Sequence, residues 1–152
     1  MVKIDELNEF FDIDKTEAYA ELNIWSENLT IERISELLGL EVSYYFKKGE
    51  FPRAKHKESH VSVTSSQEWK RWSFKTEAKP TCDISDQLNE LISVFDGKTE
   101  YLNTIKKEHN CDINICIVLC NRQKILPGMH LSEEQISFLA SIGIGIDFDI
   151  YT

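Results

Sequence analysis

Two carboxylates stand at i and i+2 near the end of the chain, Asp147 and Asp149. On a strand they share one face, their side chains roughly 7 Å apart. Paired carboxylates perform acid–base work in glycosidases. On a terminal strand the same pair also makes a solvated face that discourages edge pairing. His56 and His60 have the i, i+4 spacing that binds zinc on a helix. Their spacer follows Pro52 and leads into Val61-Ser62-Val63, so a helix is not expected there, and no further ligands are evident. Cys116 and Cys120 lie on one side of a strand but too far apart to share a metal without a bend. Buried thiols are the simpler reading, and no metal or cofactor is expected. Lys47, Lys48, Arg53, Lys55 and Lys57, with Trp69, Arg71 and Trp72 downstream, form a basic–aromatic cluster. Arginine and tryptophan together suit phosphate or base stacking. Against that, Trp72 reads as core and the lysines as solvated surface. Serine, histidine and aspartate all occur, but no nucleophile-elbow pattern holds them. No catalytic residue is therefore assigned, and a non-enzymatic protein is expected.

The elements that position these groups follow from periodicity. Residues 17–25 alternate, with Ala18, Ala20, Leu22 and Ile24 on one side and Tyr19, Glu21, Asn23 and Trp25 on the other. They read as a half-buried strand. A helix over 30–38 follows, with Gly39 as its stop, then a strand over 41–46. Lys47 to His60 has no period and reads as a loop or ragged hairpin. A strand over 68–76 puts Trp72 and Phe74 on one face. Asp83 or Ser85 would cap the next helix, which turns Leu88, Leu91, Ile92 and Phe95 inward and ends at Gly97. Another helix spans 99–108. The most apolar strand, 112–120, is expected inside the sheet. The turn at Pro127-Gly128 precedes a helix with Ser132 and Gln135 as a capping box, and a strand over 144–151 ends the chain.

One stretch recurs at an offset of 102 positions. Leu29, Thr30, Glu32, Ile34, Ser35 and Leu37 meet Leu131, Ser132, Glu134, Ile136, Ser137 and Leu139. Each copy has a capping hydroxyl, an acidic first turn and a glycine stop. The two helices are expected on the same face of one sheet, each followed directly by a strand. The element order predicts an α+β domain over 17–152: a ferredoxin-like (βαββαβ) sandwich extended by a further helix–strand unit, mainly antiparallel, with helices on one face. Ile4, Leu7, Phe10 and Phe11 suggest a helical extension over residues 1–16.

Composition bounds the partners. With 152 residues the chain has the size of one domain. No apolar run approaches the roughly 20 residues of a membrane span, and the acidic N-terminus lacks a signal-peptide core. A cytoplasmic location is expected, with Cys82, Cys111, Cys116 and Cys120 reduced. The net charge of −9 is uneven: 3 basic and 11 acidic side chains in residues 1–46, 9 and 4 in 47–79, 5 and 11 in 80–152. Such an acidic body argues against non-specific nucleic-acid binding and favours a basic partner. The same acidity also serves solubility. A monomer or weak dimer is expected.

Ile34-Ser35-Glu36-Leu37-Leu38-Gly39-Leu40, Lys48-Gly49 and Trp72 in its strand resemble a bacterial family known as domain of unknown function 4279. So do Leu88, Leu91 and Ile92, Leu139, Ile142-Gly143, and Asp147-Phe148-Asp149-Ile150-Tyr151. The resemblance runs from about residue 17 to the end. It implies no agreed activity. Small acidic members of that family are similar in size and composition to immunity proteins of bacterial toxin systems. The leading expectation is thus a cytosolic immunity protein that occludes a basic toxin domain, with Asp147, Asp149 and Tyr151 at the interface. The alternative is a small-ligand or nucleotide/phosphate-binding domain using Lys48, Arg53, Trp69 and Arg71.

Overall fold

A computed structural model describes residues 16–47, 53–54, 69–122 and 128–152, residues 53–54 by their backbone. Among the described residues six strands form one sheet: β1 (Glu17–Ser26), β2 (Tyr44–Phe46), β3 (Arg53–Ala54), β4 (Lys70–Lys75), β5 (Asp112–Cys120) and β6 (Gly145–Tyr151). Their order is β3-β2-β4-β1-β5-β6. Every pairing is antiparallel except β5 with β6. Four helices among the described residues make the architecture α+β: α1 (Ile31–Leu38), α2 (Ser85–Phe95), α3 (Thr99–Glu108) and α4 (Glu133–Ile142). The expected N-terminal helix, His56, His60 and most of the basic loop lie outside the described residues.

Alternation along the strands creates two unlike faces. On one, Ala18, Ala20, Leu22 and Ile24 of β1, Trp72 of β4, and Ile113, Ile115, Ile117 and Leu119 of β5 meet the apolar stripes of all four helices. Trp72 is fully buried and donates its indole N–H to Ser35 Oγ on α1 at 2.9 Å. The opposite face carries Tyr19, Cys116 and Val118 as a small second cluster. β1 is not half-buried as its alternation suggests. Glu21 and Asn23 are buried too, because β1 is flanked by β4 and β5 and the polar side chains of its second face bond to one another.

The recurrent helices lie on the same side of the sheet, each leading into a strand, and share their caps. Thr30 Oγ1 accepts Arg33 N–H and Ser132 Oγ accepts Gln135 N–H. Gly39 and Gly143 both stop their helices at positive φ, +63° and +67°, a conformation in which glycine carries no steric penalty. The side-chain correspondence does not extend further. α1 buries Ile31, Ile34 and Leu38, whereas α4 buries Gln135, Leu139 and Ile142. Ile136, the counterpart of the fully buried Ile34, is 54 % exposed. α4 is turned so that Gln135 reaches α2, donating to Asn89 Oδ1 at 3.0 Å and to Ser85 O at 3.3 Å. The expected cap on α2 also differs. The N-cap is Ile84, with no side-chain bond, and Asp83 Oδ1 accepts Ser85 N–H at 2.9 Å just outside the helix. Among the described residues no helix is long and apolar enough to cross a membrane.

Candidate functional site

The register lays the helix-free face out in rows. Lys75, Glu21, Cys116 and Asp147 are successive cross-strand neighbours on β4, β1, β5 and β6. Beside them run Tyr44, Ser73, Asn23, Asn114 and Gly145 on β2, β4, β1, β5 and β6. Tyr19, Val118 and Asp149 form the row on the other side. All of these but Ser73 and Gly145 line a cleft of roughly 570 Å³, together with Trp25, Arg71, Phe148 and Tyr151. Its size falls within the range of small-molecule pockets.

One side of the cleft is closed upon itself. Arg71 Nη2 donates to Glu21 Oε1 at 2.7 Å, Asn23 Oδ1 at 2.8 Å and the Tyr44 hydroxyl oxygen at 2.9 Å. Its Nε donates to Asn23 Oδ1 at 3.1 Å and Ser73 Oγ at 3.0 Å. The guanidinium also lies 5.2–5.5 Å from the ring centroids of Trp25, Tyr44 and Phe46. Tyr44 in turn donates its hydroxyl to Glu21 Oε2. The pair is secluded, with Arg71 17 % and Glu21 5 % exposed in their side chains. Burying two charges is tolerable only when they neutralise each other and their hydrogen bonds are met. Arg71 thus has its Nε and Nη2 donors committed within the fold, which weakens its case as a phosphate receptor.

The other side is open. Asp147 and Asp149 are exposed on the edge strand β6. Asp147 Oδ2 accepts Asn114 Nδ2 at 2.6 Å. That bond fixes the amide's orientation, because only its nitrogen can donate to a carboxylate. Asn114 Oδ1 is then a buried acceptor with no hydrogen-bond partner among the described residues. Such an atom costs about 1–3 kcal/mol when it is left unpaired.

Burial dominates the titration of the cleft. It pushes the Tyr19 and Tyr44 phenols well above their ordinary range, with the Glu21 carboxylate adding to the effect. Burial also raises Tyr151, seconded by Asp149. The Cys116 thiol is pushed up to about 12 by burial, then by the charges of Glu21, Asp149 and Asp147. It stays protonated at neutral pH and is a poor nucleophile. Burial lowers Lys75, with Glu17 and Glu21 opposing it; its ammonium lies 4.3 Å from the Tyr19 ring centroid. All four cysteines are free thiols, and no group of three or more potential metal ligands occurs among the described residues.

The structure brings Asp147, Asp149, Tyr151 and Arg71 to one cleft. Trp69 lies in a neighbouring recess with Trp25, Asp112, Ile113 and Asn114. Lys48 and the Arg53 side chain lie outside the described residues. Sequence reasoning missed Glu21, Asn23, Tyr44, Lys75 and Asn114 as site residues. The available signal was the polar alternate set Tyr19, Glu21, Asn23 and Trp25 on a strand whose other face is wholly apolar.

The family model for a domain of unknown function (DUF4279) matches residues 16–152. The chain belongs to that family. No curated protein sequence and no solved structure matches it.

Proposed function

We propose that this DUF4279 protein is a non-enzymatic binding protein that takes a lysine or arginine side chain of a basic protein partner into the cleft on the helix-free face. In its most concrete form it is a cytosolic immunity protein that occludes a bacterial toxin domain. The observation that carries this reading is Asn114 Oδ1, unpaired among the described residues, beside the Asp147 carboxylate, with Asp149 on the same cleft. Three acceptor groups with aromatic neighbours suit a multi-donor cation, above all a guanidinium. The net charge of −9 favours the same class of partner by steering its approach.

A small-molecule ligand is the second reading, favoured by the cleft volume and by the basic–aromatic composition of residues 47–75 in the sequence. We also infer a ferredoxin-like plan for the core. It is supported by the antiparallel order β2-β4-β1-β5, to which α4 and β6 are added at the β5 edge.

Two double mutants separate the readings by surface plasmon resonance at two salt concentrations. The analytes are any toxin domain encoded beside the gene and a nucleotide panel. Reversing Asp147 and Asp149 to lysine should slow association with the toxin, and the defect should shrink as salt screens the charges. Reversing Lys48 and Arg53 to glutamate should leave toxin binding intact. Loss of nucleotide binding from the second pair, with none from the first, would favour the small-ligand reading instead.

A further inference from the structure

β6 ends the sheet, and its outer edge has no partner strand among the described residues. The Tyr151 carbonyl accepts Asn121 N–H at 2.7 Å, so the backbone of Tyr151 faces the β5 side. Backbone N–H and C=O directions alternate along a strand, as side chains do. Asp147 and Asp149 therefore also turn their backbone groups to β5, while Ile146, Phe148 and Ile150 turn theirs to the open edge. The side chains divide in the same way. Asp147 and Asp149 line the cleft. By the strand period Phe148 and Ile150 belong to the alternate set, although Phe148 also borders the cleft, and they are 38 % and 39 % exposed.

We propose that this edge is a docking strand for an extended segment of a protein partner in which basic and apolar residues alternate. The segment would add a seventh strand beside β6 and bond to the outward backbone of Ile146, Phe148 and Ile150. Its lysines or arginines fall opposite Asp147 and Asp149 on the cleft face, and its apolar residues fall beside Phe148 and Ile150. Opposite charges directly across a strand pair stabilise it, and like charges destabilise it. A second copy of the chain is disfavoured for that reason. An antiparallel β6–β6 pairing sets carboxylate against carboxylate, and a parallel one does not close. The charges that guard an edge against indiscriminate pairing thus select a basic strand. The inference rests on the cation-binding reading and adds to it a backbone-mediated mode.

The test uses the full chain and three fluorescent peptides. One alternates lysine and valine over eight residues. One has the same composition in two blocks. The third is the alternating peptide N-methylated at every second amide. Binding is read by anisotropy, and the amide hydrogen exchange of Ile146, Phe148 and Ile150 is followed by NMR. The alternating peptide should bind at least tenfold more tightly than the other two and slow exchange at Phe148 and Ile150. Equal affinities with unchanged exchange would overturn strand addition. If in that case all three peptides still lose affinity to D147K/D149K, cation capture survives without it. If D147K/D149K changes nothing, both readings fall.

Discussion

Arg71 and Trp72 are sequence neighbours with opposite environments. Trp72 is fully buried against the helices, and Arg71 lies on the other face in its cage of rings and acceptors. Trp72→Ala should cost ~3–5 kcal/mol through the cavity it leaves. A loss below about 1 kcal/mol in urea unfolding would contradict its burial. Arg71→Ala should cost about 3–5 kcal/mol for a different reason, because it strands the Glu21 carboxylate without its counter-charge. A ligand-receiving arginine held by solvent would show little change in stability. The same unfolding experiment therefore tells a structural Arg71 from a receptor for phosphate.

At the scale of elements, much was legible because caps and periods are local. Ser132, Gln135 and Gly143 mark the ends of α4, and the structure has the full capping box there. Ser132→Ala should destabilise by about 1 kcal/mol through loss of the Gln135 N–H acceptor, read as a lowered urea midpoint with unchanged slope. What stayed hidden depends on neighbours far away in sequence. Ile136 and Ile34 occupy matching positions, yet only Ile34 is buried, because orientation is set by what each helix packs against. The cleft was hidden likewise. Glu21 and Asn114 meet their neighbours only through the register β4-β1-β5-β6, and no local pattern encodes that order. Asp147, Asp149 and Tyr151 were legible as one set since they share a strand and its period of two.

For the whole molecule, the charge balance and the two unlike sheet faces together decide behaviour. Tyr19, Tyr44, Tyr151 and Cys116 all have raised pKa values in the fold. In the unfolded chain they ionise at ordinary values of about 8.5–10. The unfolded state thus loses protons that the fold retains. Stability is full below that range and is lost as pH rises through it. Burial raises the Cys111 thiol as well, and Lys75, lowered by burial, acts in the opposite sense, one group against five. The urea midpoint should fall between pH 8 and 10.5, and less steeply in Tyr19→Phe; a flat profile would contradict the burial of these groups. The central claim is that the cleft receives a cation at Asn114, Asp147 and Asp149. NMR titration of the intact protein with a tri-arginine peptide tests it most directly. The account predicts saturable shifts of the Asn114 side-chain amide and the Trp25 indole N–H, weakening as salt rises, while the Trp72 indole stays fixed on the helical face. Shifts confined to the helices, or none at the cleft, would contradict it.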